Sequence, residues 1–230
     1  MPENIFKIYP PKKEPSENGR RGSGLWYGDS PEVRFNRVRK ILDIYYSDDC
    51  LFDDLDLTWF LKNAVIGNIY FSKTVVEGID NKKYWPDTKS ETIKNVIDKI
   101  IKGQTYKDGA FDESLLQIRK WLGKEYHEKG ADPLRFEHVI PAKVYLSKLK
   151  ELYEDTDYFT TSNSLERFNK FREQIAVCVI TKDEDNRLNI FRDSMPDCWE
   201  WGDNIFARYE KIEDKIEIAR KDNLLTTTPL

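Results

Sequence analysis

Cysteine and histidine are both scarce in this chain of 230 residues, which holds three cysteines and two histidines. Cys50, Cys178 and Cys198 are odd in number, widely spaced and without a C-x-x-C pair, so they offer no disulfide framework. This usage is typical of a reducing compartment, and we expect a cytoplasmic protein. The same counts exclude a zinc site made of four cysteines or of three histidines.

Long apolar runs and an excess of positive charge are missing as well. No apolar stretch approaches the ~20 residues that span a bilayer, and we expect no signal peptide and no membrane partner. The formal net charge is −4, whereas a DNA-binding protein usually carries a basic surface. Residues 1–40 nevertheless hold nine Lys/Arg against five Asp/Glu, while residues 131–230 hold fifteen against twenty. The total charge therefore weakens a DNA-binding reading without excluding local basic patches.

The first 125 residues predict an arm followed by helices. Residues 1–30 are rich in proline, glycine and basic residues, which predicts a basic flexible arm: a loose tail, or one that follows a phosphate backbone. Ser30-Pro31-Glu32 joins an N-cap serine to a proline at the first helical position and predicts a helix start. Asp53 predicts a second start, and Leu57–Phe71 looks apolar and helical. We therefore expect a helical domain over residues 31–125.

A carboxylate and an imidazole stand side by side further along the chain. Glu137 and His138 lie in an apolar, β-branched stretch that predicts a strand. Neighbouring residues of a regular strand point to opposite faces, so the two side chains can share a site only if the strand ends there and the backbone turns. Pro141 favours such a turn, because it fixes its own φ and donates no hydrogen bond. A metal ligand next to a general base can be built in this way.

A second pattern follows after two stretches with helical spacing. Ala176–Ile180 is a continuous apolar run that predicts a buried strand. Thr181 and Glu184 then form a capping box, which predicts a helix with Asn186 in its second turn. The predicted order is therefore strand, helical insertion, strand, helix.

These two patterns together resemble a known enzyme family. Glu137-His138-Val139-Ile140-Pro141 resembles the Asp-His-Ile-x-Pro motif of the HNH nucleases, the ββα-metal family. Val179–Arg187 resembles the strand and helix of the HNH domain in RNA-guided CRISPR nucleases. The resemblance covers residues 131–195 and implies a ββα-metal (HNH) unit with a helical insertion. With the helices expected over residues 31–125, we expect an α+β, mostly helical fold, in which a helical N-terminal bundle precedes this unit. The unit occupies residues 126–230 with an aromatic C-terminal extension.

The resemblance also implies an activity, namely DNA endonuclease chemistry that depends on Mg²⁺ or Mn²⁺. His138 would be the general base, with Glu137 and Asn186 as metal ligands and Asn189 as the alternative ligand. Three cations are candidate phosphate-binding residues: Lys143, Lys182 and Arg187. An enzyme of this size that stands alone resembles restriction or phage-defence nucleases. Cutting both strands of a duplex with one site per chain would favour a homodimer.

Two alternatives stay open. Asp197, Glu213 and Lys215 fit the loose PD-(D/E)xK nuclease pattern, with Ile212–Ile218 as the strand of that motif. The other alternative is a non-catalytic interaction protein, in which an HNH-like scaffold binds a protein partner through its acidic surface. The second histidine, His127, lies in a polar stretch, and we expect it to be exposed and inert.

Overall fold

The structure, a computed structural model, describes residues 30–48, 53–80, 95, 97–98, 134–155 and 157–219. The arm expected at residues 1–29 lies outside these residues, as does most of the segment 81–133 with the domain boundary expected near residue 125. No helix in the described part of the chain has the length and apolar character needed to cross a bilayer.

The first two helices begin where the sequence predicts them. Helix α1 spans Pro31–Tyr45, and the Ser30 side chain accepts a hydrogen bond from the Val33 amide. Helix α2 spans Asp54–Leu61, and Asp53 accepts hydrogen bonds from two amides of its first turn. The acidic stretch at this point is therefore a helix N-cap, as predicted, and it satisfies amide groups that would otherwise lack acceptors.

The prediction that Leu57–Phe71 is helical is wrong in its second half. Helix α2 ends at Leu61, and Asn68–Phe71 forms strand β1, whose residues alternate between half-buried and buried. The Gly67 amide donates to the Ile175 carbonyl at 2.8 Å, which starts the pairing of β1 with a later strand. Tertiary pairing, which a local apolar pattern does not reveal, therefore decides this segment. Helix α3, Lys73–Asp80, follows directly.

The sheet is mixed and has three described strands in the order β1-β3-β2. Strand β2 spans Arg135–His138, and strand β3 spans Ala176–Ile180, with every residue buried as predicted. Strand β3 pairs parallel with β1 and antiparallel with β2. This central position explains the continuous apolar run, because β3 has a neighbour on each edge and both of its faces are covered.

The remaining helices follow the predicted order. Between β2 and β3 lie helix α4, Ala142–Glu154, and helix α5, Ser164–Gln174. Helix α6, Lys182–Arg187, begins with the predicted capping box and continues into a 3₁₀ turn, Leu188–Phe191. Helix α7, Ala207–Lys211, is the last described helix. The observed order is therefore strand, helical insertion, strand, helix.

One hydrophobic core joins the N-terminal helices to the sheet. Phe35 of α1 stacks on Phe159 with ring centroids 5.6 Å apart, and the Tyr145 hydroxyl of α4 donates to the Lys62 carbonyl after α2. The C-terminal aromatic residues pack on the same core, since Phe206 contacts the Tyr70 ring of β1. Helix α2 is thereby fixed opposite the end of β2.

Gly67 provides a test of this packing. A Cβ atom at Gly67 would lie 2.1 Å from the backbone carbonyl oxygen of Arg172. We expect Gly67→Ala to lower the free energy of unfolding by ~2 kcal/mol or more, because backbone must move to relieve the overlap. Gly202→Ala is the control, since Gly202 has φ +100° but open space around it. It should cost only the strain of that φ, ~1 kcal/mol. Urea unfolding measures both, and equal losses would contradict this account.

Candidate functional site

A cavity of about 930 Å³ opens at the end of strand β2. This volume lies in the range of ~300–1,000 Å³ that is typical of small-molecule sites. Four segments contribute to it: the first turns of α2, the end of β2, the first half of α4, and α6 with the turn that follows it. Its polar lining comprises Asp54, Thr58, Glu137, His138, Lys143, Ser147, Lys150, Asp185, Asn189, Arg192 and Asp193.

Glu137 and His138 both line this cavity, although they are adjacent in sequence. Strand β2 ends at His138, the next two residues form a bend, and Pro141 is the N-cap of α4. Both residues are still paired with β3, opposite Cys178 and Val177, and the Val139 amide donates to the Ala176 carbonyl at 2.9 Å. The expected bend therefore follows the pair, at residues 139–140.

Glu137 is held by a buried arginine that the sequence does not single out. Arg208 of α7 is fully buried, and its Nη2 donates to Glu137 Oε1 and, at 2.7 Å, to the His138 carbonyl. Its Nη1 donates to the Phe191 carbonyl at 2.8 Å. Burial raises the pKa of Glu137 above its usual value, and the Arg208 charge opposes that shift. A signal in the sequence is faint: Arg208 stands between Phe206 and Tyr209 in an aromatic stretch.

His138 is half-buried, and its surroundings restrict its ring. The ring centroid lies 5.8 Å from that of Tyr145 in a tilted arrangement, and Nε2 is shielded from solvent. Tyr145 is itself fixed by its hydrogen bond to the Lys62 carbonyl. The imidazole is therefore held at the cavity wall by packing on α4.

Of the two asparagines that the sequence leaves open, Asn189 lines the cavity and Asn186 does not. Asn186 is exposed on α6. Asn189 lies in the 3₁₀ turn after α6, whose first residue, Leu188, is buried in the core. Glu137, His138 and Asn189 thus border one space.

The candidate phosphate-binding cations divide in a similar way. Lys143 lines the cavity, whereas Lys182 is exposed on α6 outside it. Arg187 also lies outside it, and its Nη1 donates to the Asp214 carbonyl at 2.6 Å. Two cations missed by the sequence analysis, Lys150 and Arg192, line the cavity as well. Both cations lie several residues beyond the motif residues His138 and Asn186, and their sequence spacing from those residues does not indicate a shared site.

Several acidic residues of the cavity are paired with cations. Asp54 accepts hydrogen bonds from Lys150 and from the Tyr45 hydroxyl, which lower the pKa of its carboxyl group. Asp185 lies 3.5 Å from Arg135 Nε. The cavity is therefore less negative than a count of its acidic residues suggests.

The rival nuclease set has a different environment. Asp197, Glu213 and Lys215 are all exposed, and none lines the cavity. The expectation that Ile212–Ile218 forms a strand is wrong, because the described backbone there is irregular and only Ile218 makes an isolated bridge, to Ser72. Ile212 and Ile216 face the core, so burial rather than strand pairing explains their alternation.

The donor atoms at the cavity can be compared with the needs of a divalent cation. Within the described residues, no group of three or more His, Cys, Asp and Glu side chains is arranged to hold a metal ion. Mg²⁺ requires less, because it retains several waters and is often bound by one or two oxygen side chains. Glu137 and Asn189 line the same cavity, and their carboxylate and amide oxygens are ligand types that such an ion takes.

Comparison with known proteins adds no assignment: no protein-family model matches the chain, and no curated protein or solved structure matches it. Functional inference therefore depends on the geometry and chemistry of the site.

Proposed function

We propose that this chain is a metal-dependent DNA endonuclease of the HNH, or ββα-metal, type. The observation that carries the proposal is that Glu137, His138 and Asn189 line one cavity. They lie at the end of a strand and in the turn after a capped helix, separated by a helical insertion and a second strand. By the sequence resemblance, a histidine at this place is the general base, and a carboxylate and an asparagine are metal ligands.

His138 is assigned as the general base. A neutral imidazole can accept a proton from a water molecule, and histidine is the side chain most often used as a general base. Packing against Tyr145 and the end of β2 holds the ring at the cavity wall. The proton transfer requires a ring nitrogen within ~3 Å of that water in the substrate complex.

Glu137 and Asn189 are assigned as the ligands of Mg²⁺ or Mn²⁺. Arg208 engages Oε1 of Glu137, so Oε2 is assigned to the cation. When bound, the ion supplies Lewis-acid stabilisation of charge at the phosphate and the leaving oxygen. Asn189 replaces Asn186 in this assignment, because Asn189 borders the cavity.

Lys143 and Arg192 are assigned to contact DNA phosphates beside the scissile bond. Both line the cavity and are exposed. Pairing of Asp54 with Lys150 and of Asp185 with Arg135 reduces the repulsion that a phosphate would meet. A net charge of −4 is compatible with such a local patch. By analogy with enzymes of similar length, we also propose a role in restriction or phage defence. A homodimer would allow one site per chain to cut both DNA strands.

Plasmid cleavage tests the base. In Mg²⁺ or Mn²⁺, His138→Ala should lose ~10²- to 10⁴-fold in rate, the usual contribution of a general base. His127→Ala is the matched control and should cut like the wild type. Cutting that survives in His138→Ala and disappears in Lys215→Ala would move the active site to the Asp197, Glu213 and Lys215 set. Absence of cutting by every protein would favour the interaction-protein alternative.

Mn²⁺ binding separates the two asparagines. Asn189→Ala should weaken Mn²⁺ binding by ~10-fold or more, since it removes a direct ligand, whereas Asn186→Ala should bind like the wild type. Isothermal titration of both variants without DNA measures this directly. The reverse pattern would return the ligand role to Asn186 and contradict the assignment of Asn189.

The salt dependence of DNA binding tests the phosphate contacts. With Ca²⁺ in place of Mg²⁺ to suppress cutting, Lys143→Ala should reduce the slope of log K against log salt by about one. Lys182→Ala is the matched lysine control, because Lys182 lies outside the cavity lining. Equal slopes for the wild type and Lys143→Ala would remove Lys143 from the DNA interface.

A further inference from the structure

The buried guanidinium of Arg208 contacts both segments that carry the site. Its acceptors are the Glu137 carboxylate, the His138 carbonyl and the Phe191 carbonyl. The first two belong to the last two residues of β2, and the third belongs to the turn that contains Asn189. A single side chain thus connects the strand end to the turn.

A purely structural role explains this arginine poorly. Removing a charged group from water is costly, and an apolar side chain of similar volume often fills a buried space with equal or greater stability. Arg208 lies in a helix of five residues among aromatic side chains, where an apolar residue would pack readily. The planar guanidinium instead satisfies three acceptors in a fixed geometry, which neither an apolar residue nor the point charge of lysine can do.

The contact with Arg208 also makes the two carboxylate oxygens of Glu137 different from each other. Arg208 bonds Oε1, and the Glu137 side chain is about one quarter exposed, at 27%. A carboxylate bonded at one oxygen is fixed in orientation, and its second oxygen remains for a cation in the cavity. Groups that orient a metal ligand in this way commonly change metal affinity although they do not touch the metal.

We propose that Arg208 is a positioning residue, which holds the Glu137 carboxylate in the orientation that binds the divalent cation. This inference rests on the proposed function and extends it to a residue outside the resemblance. Arg208 acts on the cation through Glu137, and it is not itself a ligand.

Mn²⁺ affinity, measured by the EPR signal of the free ion on the intact chain without DNA, tests the proposal. Arg208→Lys keeps the charge but loses the fork, and it should weaken Mn²⁺ binding by about 10- to 100-fold. The matched control is Arg172→Lys. Arg172 is also a buried arginine that donates to a loop carbonyl, that of Ile66 at 3.0 Å, but it does not line the cavity. Arg172→Lys should lower the Tm and leave the Mn²⁺ Kd unchanged.

A double-mutant cycle tests whether Arg208 acts through Glu137. Glu137→Gln should itself weaken Mn²⁺ binding, and adding Arg208→Lys to it should cost much less than in the wild-type background. Equal losses of affinity in both backgrounds would overturn the proposal. So would a folded Arg208→Lys protein, with the near-UV circular dichroism of the wild type, that binds Mn²⁺ as tightly as the wild type does.

Two further outcomes keep this inference distinct from the proposed function. If Arg208→Lys does not fold, the double variant Glu137→Gln/Arg208→Met removes both charges of the pair and avoids a buried unpaired charge. A Kd equal to that of Glu137→Gln supports the proposal, and a further tenfold loss overturns it. A wild-type chain that neither binds Mn²⁺ nor cuts DNA would defeat the proposed function itself. A wild type that binds and cuts, with an unaffected Arg208→Lys, would defeat only the role of Arg208.

Discussion

The antiparallel pairing of β2 with β3 is the constraint on which the geometry of the site depends. The register places Arg135 opposite Ile180 and His138 opposite Val177. The chain leaves β3 just past Ile180 and enters α6 beside the start of β2. Asp185 of α6 reaches Arg135 Nε at 3.5 Å, which shows that this helix lies along β2. The strand end that carries His138 and the helix that precedes Asn189 are therefore positioned by a single ladder of hydrogen bonds.

The same constraint explains why Asn189 borders the cavity rather than Asn186. The eight steps along the chain from Thr181 to Asn189 advance about 12 Å at ~1.5 Å per residue, similar to the ~10 Å that β2 covers from Arg135 to His138. Asp185 faces β2, and Asp185 and Asn189, four residues further on, both line the cavity. Asn186 is displaced by about 100° around the helix from Asp185. The sequence spacing from Thr181 therefore does not by itself predict which asparagine reaches the cavity, because the direction of each side chain around the helix also matters.

The start of α6 is itself fixed by a buried carboxylate. Glu184 Oε2 accepts hydrogen bonds from the Thr181 amide and from the Ser72 hydroxyl, each at 2.8 Å. Ser72 follows β1 and caps the first turn of α3, where its hydroxyl accepts a hydrogen bond from the Val75 amide. Glu184 therefore joins the ends of the two parallel strands and the N-termini of two helices, where a negative charge is favourable. The sequence predicts half of this arrangement, the capping box, because its partners are local. It gives no indication of Ser72, whose contact depends on the parallel pairing of β1 with β3.

This difference between local and distant partners applies to the whole chain. The N-caps at Ser30 and Asp53 and the buried run of β3 could be predicted, since each depends on neighbours within a few residues. The adjacency of Glu137 and His138 at a strand end could be predicted too, because proline limits the strand. Strand β1 and the contact of Arg208 with Glu137 could not, since they join residues far apart in sequence.

The proposed metal-binding role sets two opposing electrostatic demands on the site, and Arg208 addresses both. A carboxylate that binds a cation must be ionised, yet burial raises the pKa of Glu137 and favours its neutral form. Full exposure would remove that penalty, but it would also weaken the attraction for a cation through solvent screening. The Arg208 charge opposes the effect of burial, and its hydrogen bond fixes one oxygen. A carboxylate can thus remain partly buried, oriented and able to bind a cation, provided that a buried guanidinium stands behind it.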